Sequence, residues 1–391
     1  MTWPSVDFEE LPWRSSLEGL SRRALRNAPS TYRSAVVPAI ADAQLDLDAD
    51  MVSEVEDATL AVKEFDLGDA HRILPFTPLL LRSESFASSQ IEHLTSSARR
   101  ILEAELTDLA GTNARLIVAN TKQMEEATAM DGASTSVLLH MHDVLLRESA
   151  PEIAGKLREQ PVWIGGHDMY PRDALFVPPH HAHIPALMED LEAFNKRRDL
   201  PILVHAALAH AQFETIHPFA DGNGRTGRAL VHVLLRQRGL TRETSLPLSA
   251  GLLGDLDSYF AALDAYRAGR PNEIIERFVR SARRAVERGT WLATELTILR
   301  EEWEGTLTAR GGALVWRLIP LLLQRPVVTS KIVADELGAS QVSARNALDS
   351  LEEAGILASA MLDKRSRAWR AVEVLALLDE FATRGGRRTA P

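Results

Sequence analysis

Apolar residues recur three and four positions apart along almost the whole chain, the spacing of helices that bury one face, so a mainly α fold is predicted. The stretch TPLLLRSESFASSQIEHL opens on Thr77 before Pro78. An N-cap threonine with a first-turn proline predicts a helix that starts there and runs past Glu92. LPILVHAALAHAQFETI and GRALVHVLLRQRG read as buried helices, the second stopping at Gly239. Between these blocks, PVWIGGHDMYPRDALFVPPHHAHIP breaks the helical period. Its Gly165-Gly166 pair and prolines, with apolar residues around them, suit a short β-hairpin. After Arg325-Pro326 the pattern becomes helix, glycine-centred turn, helix in TSKIVADELGASQVSARNALDSLEEAGIL. Two strand-like pieces, ASAML and RAWRAV, follow around the charged turn DKRS, giving a winged helix-turn-helix pattern.

These shifts divide the 391 residues into three expected domains. Residues 1–110 form an N-terminal helical region with an irregular start, 111–295 a helical core with the hairpin at about 161–179, and 296–391 the winged-helix domain. At 45% hydrophobic and 25% charged the composition is that of an ordinary globular protein, and only the end, TRGGRRTAP, is expected to lack order. The net charge of -10 excludes a chain that coats nucleic acid or anionic membrane, except through a locally basic face. No cysteine is present, which removes disulfides, thiolate zinc sites and cysteine nucleophiles together and suits a reducing cytosol. The start shows no basic region followed by an apolar run, and stretches such as Leu318 to Leu323 fall far short of the ~20 residues that span a bilayer. A cytoplasmic setting without membrane contact is expected.

The densest chemistry stands in HPFADGNGRTGR, His217 to Arg228, between the two buried helices. Gly222 and Gly224 open backbone conformations closed to other residues, so successive N–H groups can face one spot beside the positive end of the next helix. That is an anion cradle. Asn223 can fix the loop or donate to the anion, Arg225 can grip a phosphate with its fork of donors, and Arg228 lies one turn on. Asp221 would repel such a ligand unless a cation lay between, and Mg²⁺ held by one carboxylate and phosphate oxygens fits that need. His217 is the side chain here that can take a proton near neutral pH. The set suits transfer of a phosphate-containing group to a hydroxyl.

HPFADGNGRTGR fills every defining position of H-x-F-x-[DE]-G-N-G-R-x-x-R and so resembles the core motif of the Fic (filamentation induced by cAMP) family. The resemblance implies a protein adenylyltransferase that moves AMP from Mg·ATP to a Ser, Thr or Tyr hydroxyl of a protein, the chain itself included. His217 is then the base and Asp221 the Mg²⁺ ligand. Phe219 anchors the loop. Gly222, Asn223, Gly224, Thr226 and Gly227 belong to the nucleotide cradle, and Arg225 and Arg228 take the outer phosphates. WIGGHDMYPRDALFVPP resembles the family's flap, where Trp163, Ile164 and Gly165 hold a target segment by strand addition. DSYFAALDAYR is similar to the segment whose tyrosine, here Tyr259, lies near the nucleotide, and a core aromatic is the other reading of that residue.

SSQIEH, Ser88 to His93, resembles the inhibitory motif [ST]-x-x-x-E-[GN], on a helix expected at about 78–95, with His93 where the pattern has Gly or Asn. Ser88 and Glu92 stand about 40° apart around a helix and share a face. The resemblance implies that Glu92 pairs with Arg228 and restrains the enzyme. Removal of AMP, or use of another nucleotide donor, is the alternative within the same chemistry. A nucleotide-sensing, DNA-binding regulator is the alternative of a different class, discriminated by the winged helix. That module carries seven basic residues against six acidic from Arg325 to Arg370, and Gln341, Ser343, Arg345 and Asn346 on its second helix. DNA contact is weakly signalled there, with protein contact or a homodimer as readily expected. HHAH at His180–His183 reads as a surface loop, His205 and His210 fall on different helix faces, and the sequence around Lys156 lacks the pattern of a P-loop.

Overall fold

The computed structural model describes residues 3–13, 29–67, 76–107, 111–166, 170–308, 313–363 and 366–386. The chain end from residue 387 and Lys364 and Arg365 of the wing turn lie outside them. The elements are β1 (Asp7–Pro12), β2 (Thr31–Val36), α1 (Ala49–Leu67), α2 (Thr77–Ile91), α3 (Ala98–Ala104), α4 (Thr112–Ala129) and α5 (Thr135–Leu146). They continue with α6 (Ile184–Asn195), α7 (Ile202–Ile216), α8 (Asn223–Gln237), α9 (Leu248–Leu253), α10 (Leu256–Arg267), α11 (Asn272–Thr306) and α12 (Leu314–Leu322). The last are β3 (Val327–Val328), α13 (Ser330–Leu337), α14 (Gln341–Glu353), β4 (Ala358–Met361), β5 (Arg367–Arg370) and α15 (Val372–Gly386). The fold is mainly helical with small antiparallel sheets, as the apolar spacing predicts.

Two compact units form, each from three separated segments. The first comprises Met1–Val55, Ala129–Leu234 and Asp257–Phe278. Its centre is α7, in which every residue from Leu203 to Ile216 is buried. A helix buried all round must find internal partners for its polar side chains, and several in α7 have them. His205 Nε2 meets Phe194 O at 2.9 Å, Gln212 donates to Pro38 O at 2.9 Å and accepts from the Tyr266 hydroxyl at 2.9 Å, and Thr215 donates to Ala211 O at 2.7 Å. Phe194, Phe213, Phe219, Tyr259 and Phe278 are among the largest fully buried side chains around it. The site loop leaves the end of this fixed rod.

The N-terminal region, expected to be irregular and then helical, contains a hairpin: β1 pairs antiparallel with β2 from Asp7↔Val36 to Pro12↔Thr31. DFEELP lacks the alternation of a half-buried strand, so its pairing comes from tertiary context rather than from local pattern. β2 reaches the flap: Ala35 N donates to Val177 O at 3.0 Å and Ser34 Oγ to Pro178 O at 3.2 Å.

The second unit comprises Glu56–Thr128, Leu235–Leu256 and Val279–Pro391. Within it α2 packs against α9 and α15. Thr77 is the first helical residue of α2 and not its N-cap; Phe76 holds the cap position without a side-chain bond. The Thr77 hydroxyl donates instead to Glu243 O at 3.4 Å, so a tertiary partner has taken the group that would have capped the helix. α2 also ends sooner than expected. Ile91 is its last residue and Glu92 its C-cap. His93 N donates to Gln90 O at 3.0 Å and Leu94 N to Ser89 O at 3.0 Å, the paired bonds of a Schellman end, with His93 left-handed at φ 59.

The winged helix lies in the second unit. Thr329 and Ser340 cap α13 and α14 by accepting from Ile332 N and Ser343 N, and Gly338 at φ 60 makes the turn between them. β4 and β5 pair antiparallel as expected, and β3, Val327–Val328, adds a third strand beside β5.

Candidate functional site

His217 ends α7 in the left-handed conformation, φ 50 and ψ 61. A non-glycine residue pays about 1–2 kcal/mol to sit there, and such strain persists where surrounding contacts over-determine it. Six residues on, Asn223 does the fixing: its Oδ1 accepts from Phe219 N at 2.9 Å and its Nδ2 donates to Phe219 O at 2.9 Å. Of the two readings of Asn223, the geometry therefore carries loop fixing. Phe219, fully buried, stacks on the His142 ring at 3.8 Å and 3°. Gly155 N donates to His142 Nδ1 at 3.0 Å, which leaves Nε2–H to donate to Asp221 O at 3.0 Å. Burial holds the His142 pKa below its ordinary value and keeps that tautomer neutral.

Gly222 adopts φ 76, and a Cβ there would stand 3.0 Å from Leu145 Cδ2. α8 then begins at Asn223, its first return bond running from Thr226 N to Gly222 O at 3.0 Å. The N–H groups before Thr226 have no acceptor inside the helix and sit at its positive end. Arg225 and Arg228 are both buried, and Asp221, the exposed member, lies 3.6 Å from Arg225 Nη2. His217, Asp221, Asn223, Arg225 and Arg228 are thus brought onto one loop and the first turns of one helix.

His217 Nδ1 is buried 4.0 Å from Glu214 Oε2, which turns Nε2 into the nitrogen available for proton transfer. Desolvation, helped by the guanidinium charges of Arg158 and Arg267, pushes the His217 pKa down to about 3. The imidazole is neutral at neutral pH and able to accept a proton. Gly227 lets α8 approach α7: a Cβ there would lie 2.6 Å from Glu214 Oε1 and 2.9 Å from Phe213 Cδ1. Gly227→Ala should cost about 1–3 kcal/mol by overpacking, read as a lower midpoint in urea unfolding.

Tyr259 is 1% exposed and its hydroxyl meets His210 Nε2 at 2.7 Å. That is the core-aromatic reading of this residue. At the hairpin, Ile164 and Phe176 form an antiparallel bridge, with Ile164 N to Phe176 O and Leu175 N to Ile164 O both 2.8 Å. Trp163 and Ile164 are half-buried and Gly165 is exposed at φ 70. Residues 167–169 of this hairpin lie outside the described residues.

A model of the Fic/DOC family matches residues 133–235. The chain carries a Fic domain. It is 34% identical over 128 residues to a Drosophila grimshawi protein named Protein adenylyltransferase Fic, a stretch covering 32% of this chain and 23% of that protein. The chain therefore aligns with about a quarter of that relative's length. A Fic family protein from Desulfovibrio desulfuricans G20 shares the fold over 84% of this chain and 97% of its own, with a TM-score of 0.57 at 21% identity. Fic-1 from C. elegans does so over 63% and 74%, with a TM-score of 0.50 at 18% identity.

Three residues beside the Fic motif escaped the sequence reading: His142, Arg158 and Glu214. Two left a signal, since His142 falls in step with Leu138 and Leu145 on the buried side of α5, and Glu214 is the one carboxylate in a fully buried helix. In the second unit, Ser88 is fully buried and Glu92 exposed. His93 occupies the left-handed position where the inhibitory pattern has Gly or Asn, the residues that tolerate it best. His93→Gly should raise stability by about 0.5 kcal/mol, the strain relieved exceeding the added chain entropy, as measured by denaturant unfolding. Other histidines serve locally: His180 Nδ1 accepts from Ala182 N at 3.3 Å, and His183 Nε2 lies 3.6 Å from Glu9. Among the described residues, no helix is long and apolar enough to cross a membrane and no group of three His or carboxylates stands ready for a metal. In the winged helix, Arg325, Arg345, Arg367 and Arg370 each pair with a carboxylate, so much of its basic charge is already spoken for.

Proposed function

We propose that this chain transfers AMP from ATP to a hydroxyl on a protein. The observation that carries the reading is the His217 imidazole held at the end of α7, just ahead of a helix N-terminus flanked by Arg225 and Arg228. His217 Nε2 takes the proton as the hydroxyl oxygen attacks the α-phosphorus; the bond to the β-phosphate oxygen breaks and pyrophosphate leaves. N–H groups at the start of α8 cradle the α- and β-phosphates, and Arg225 and Arg228 hold the outer phosphates. Asp221, a single exposed carboxylate on the loop, has the hard oxygen chemistry that suits Mg²⁺ shared with phosphate oxygens. Bound there, the ion would neutralise phosphate charge. Trp163, Ile164 and Gly165 align the target as an added strand. Tyr259 contributes through His210 in the core. Ser88 and Glu92 belong to an intramolecular brake in which Glu92 claims Arg228, a reading supported by the fit of SSQIEH to the inhibitory pattern. The name of the Drosophila relative supports AMP as the transferred group, and the cysteine-free composition suits the cytoplasm.

The test is incubation of Glu92→Gly with each nucleotide, labelled at the α- or γ-phosphate, and a cell lysate, followed by mass spectrometry of labelled peptides. AMP esters on Ser, Thr or Tyr carrying only the α-label are expected. Label from γ-phosphate alone, or from UTP and not ATP, would overturn the reading; loss of AMP from pre-modified peptides would mark the reverse reaction.

A further inference from the structure

Arg158 stands 59 positions before His217 and is 4% exposed. Among the described residues, its guanidinium donates to backbone carbonyls. Nε reaches His217 O at 2.8 Å, Nη1 Gln160 O at 3.0 Å, and Nη2 Pro179 O at 2.7 Å and Ile216 O at 3.5 Å. Its own N–H donates to Pro218 O at 2.9 Å. Among the described residues no carboxylate pairs with it. A buried charge needs compensation, and here the carbonyl ends of α7 supply it, the place where a helix dipole favours a cation. One planar fork therefore ties three segments together: the last turn of α7 with its strained His217, the entry to the flap at Gln160, and the flap's exit at Pro179.

We propose that Arg158 is a positioning residue that locks the His217 turn and the base of the flap into one rigid piece, so that base and target strand keep register. The kinetic side of this rests on the AMP-transfer reading; the structural side does not. A second guanidinium supports the same design: Arg267 lies over the Phe176 ring of the flap at 3.9 Å and is also felt by His217. Among the described residues, the charged groups facing His217 are Arg158, Arg267 and the Glu214 carboxylate, and removing one cation should let its pKa rise.

The experiment uses the full chain. Arg158→Met and Arg158→Lys are compared in the Glu92→Gly background for kcat and KM of labelled AMP transfer, ATP affinity by calorimetry, thermal melting, and the ¹³C-imidazole NMR titration of His217. Lysine keeps the charge and loses the fork. Methionine should lower kcat about tenfold with ATP affinity unchanged, and lysine should restore the melting temperature while recovering only part of kcat. The His217 titration should move upward in Arg158→Met and stay put in Arg158→Lys. A folded Arg158→Met with unaltered kcat and unaltered His217 titration would overturn the proposal, as would a loss of ATP affinity that accounts for the whole effect. If no variant transfers AMP, the NMR arm still decides, since His217 should shift whether or not the chain has that activity. Should Arg158→Met fail to fold, full kcat in Arg158→Lys overturns it.

Discussion

Replacing His217 by alanine is expected to lower label transfer about a thousandfold while leaving ATP bound. The imidazole addresses the incoming hydroxyl, whereas the phosphates are held by N–H groups and arginines that begin at α8. Among the described residues, the two neighbouring carboxylates are poorly placed to take over the proton. Glu214 is buried on the Nδ1 side, and Asp221 lies beside Arg225 at 3.6 Å. His217→Ala also removes a side chain from a left-handed position, so the cleaner variant is His217→Asn, because asparagine tolerates that conformation. Asparagine should match alanine in activity and exceed it in thermal stability. ATP affinity by calorimetry within a few-fold of wild type completes the expected result. Transfer surviving in His217→Asn would remove the imidazole from the mechanism and leave the loop as a nucleotide sensor.

The loop was legible because its chemistry is contiguous: a histidine, a carboxylate, an asparagine and two arginines within twelve residues, on glycines that free the backbone. The helices on either side were legible through uninterrupted apolar spacing, and the winged helix through its helix, glycine-centred turn, helix pattern with the turn at Gly338. What escaped acts through backbone over long sequence separation. The hydrogen bonds of Arg158 run to carbonyl oxygens, and carbonyls leave no trace in side-chain pattern. β1 was invisible because DFEELP has no strand period, and its partner begins nineteen residues after it ends. Thr77 looked like a cap until a tertiary acceptor, Glu243 O, claimed its hydroxyl. His93 shows the converse: the residue that departs from the family pattern still takes the conformation that the pattern's Gly or Asn encodes.

Glu92→Gly is expected to raise auto-modification with labelled ATP about a hundredfold. A brake that leaves one molecule in a hundred competent gives that factor when released, since the competent fraction then approaches unity. Glycine changes more than charge, however, because Glu92 caps α2 ahead of the left-handed His93. Glu92→Gln separates the two causes. It keeps the length and the helix end, and removes the carboxylate that would compete with phosphate for a guanidinium. If charge competition is the brake, glutamine should activate nearly as well as glycine, and ATP should bind both variants in the orientation that yields pyrophosphate. Activation by glycine alone would assign the restraint to the ordered end of α2 instead. Unchanged rates in both variants would sink the intramolecular brake. In the double variant Glu92→Gly/His217→Asn all label should disappear, which ties the released activity to the imidazole and not to a contaminating transferase.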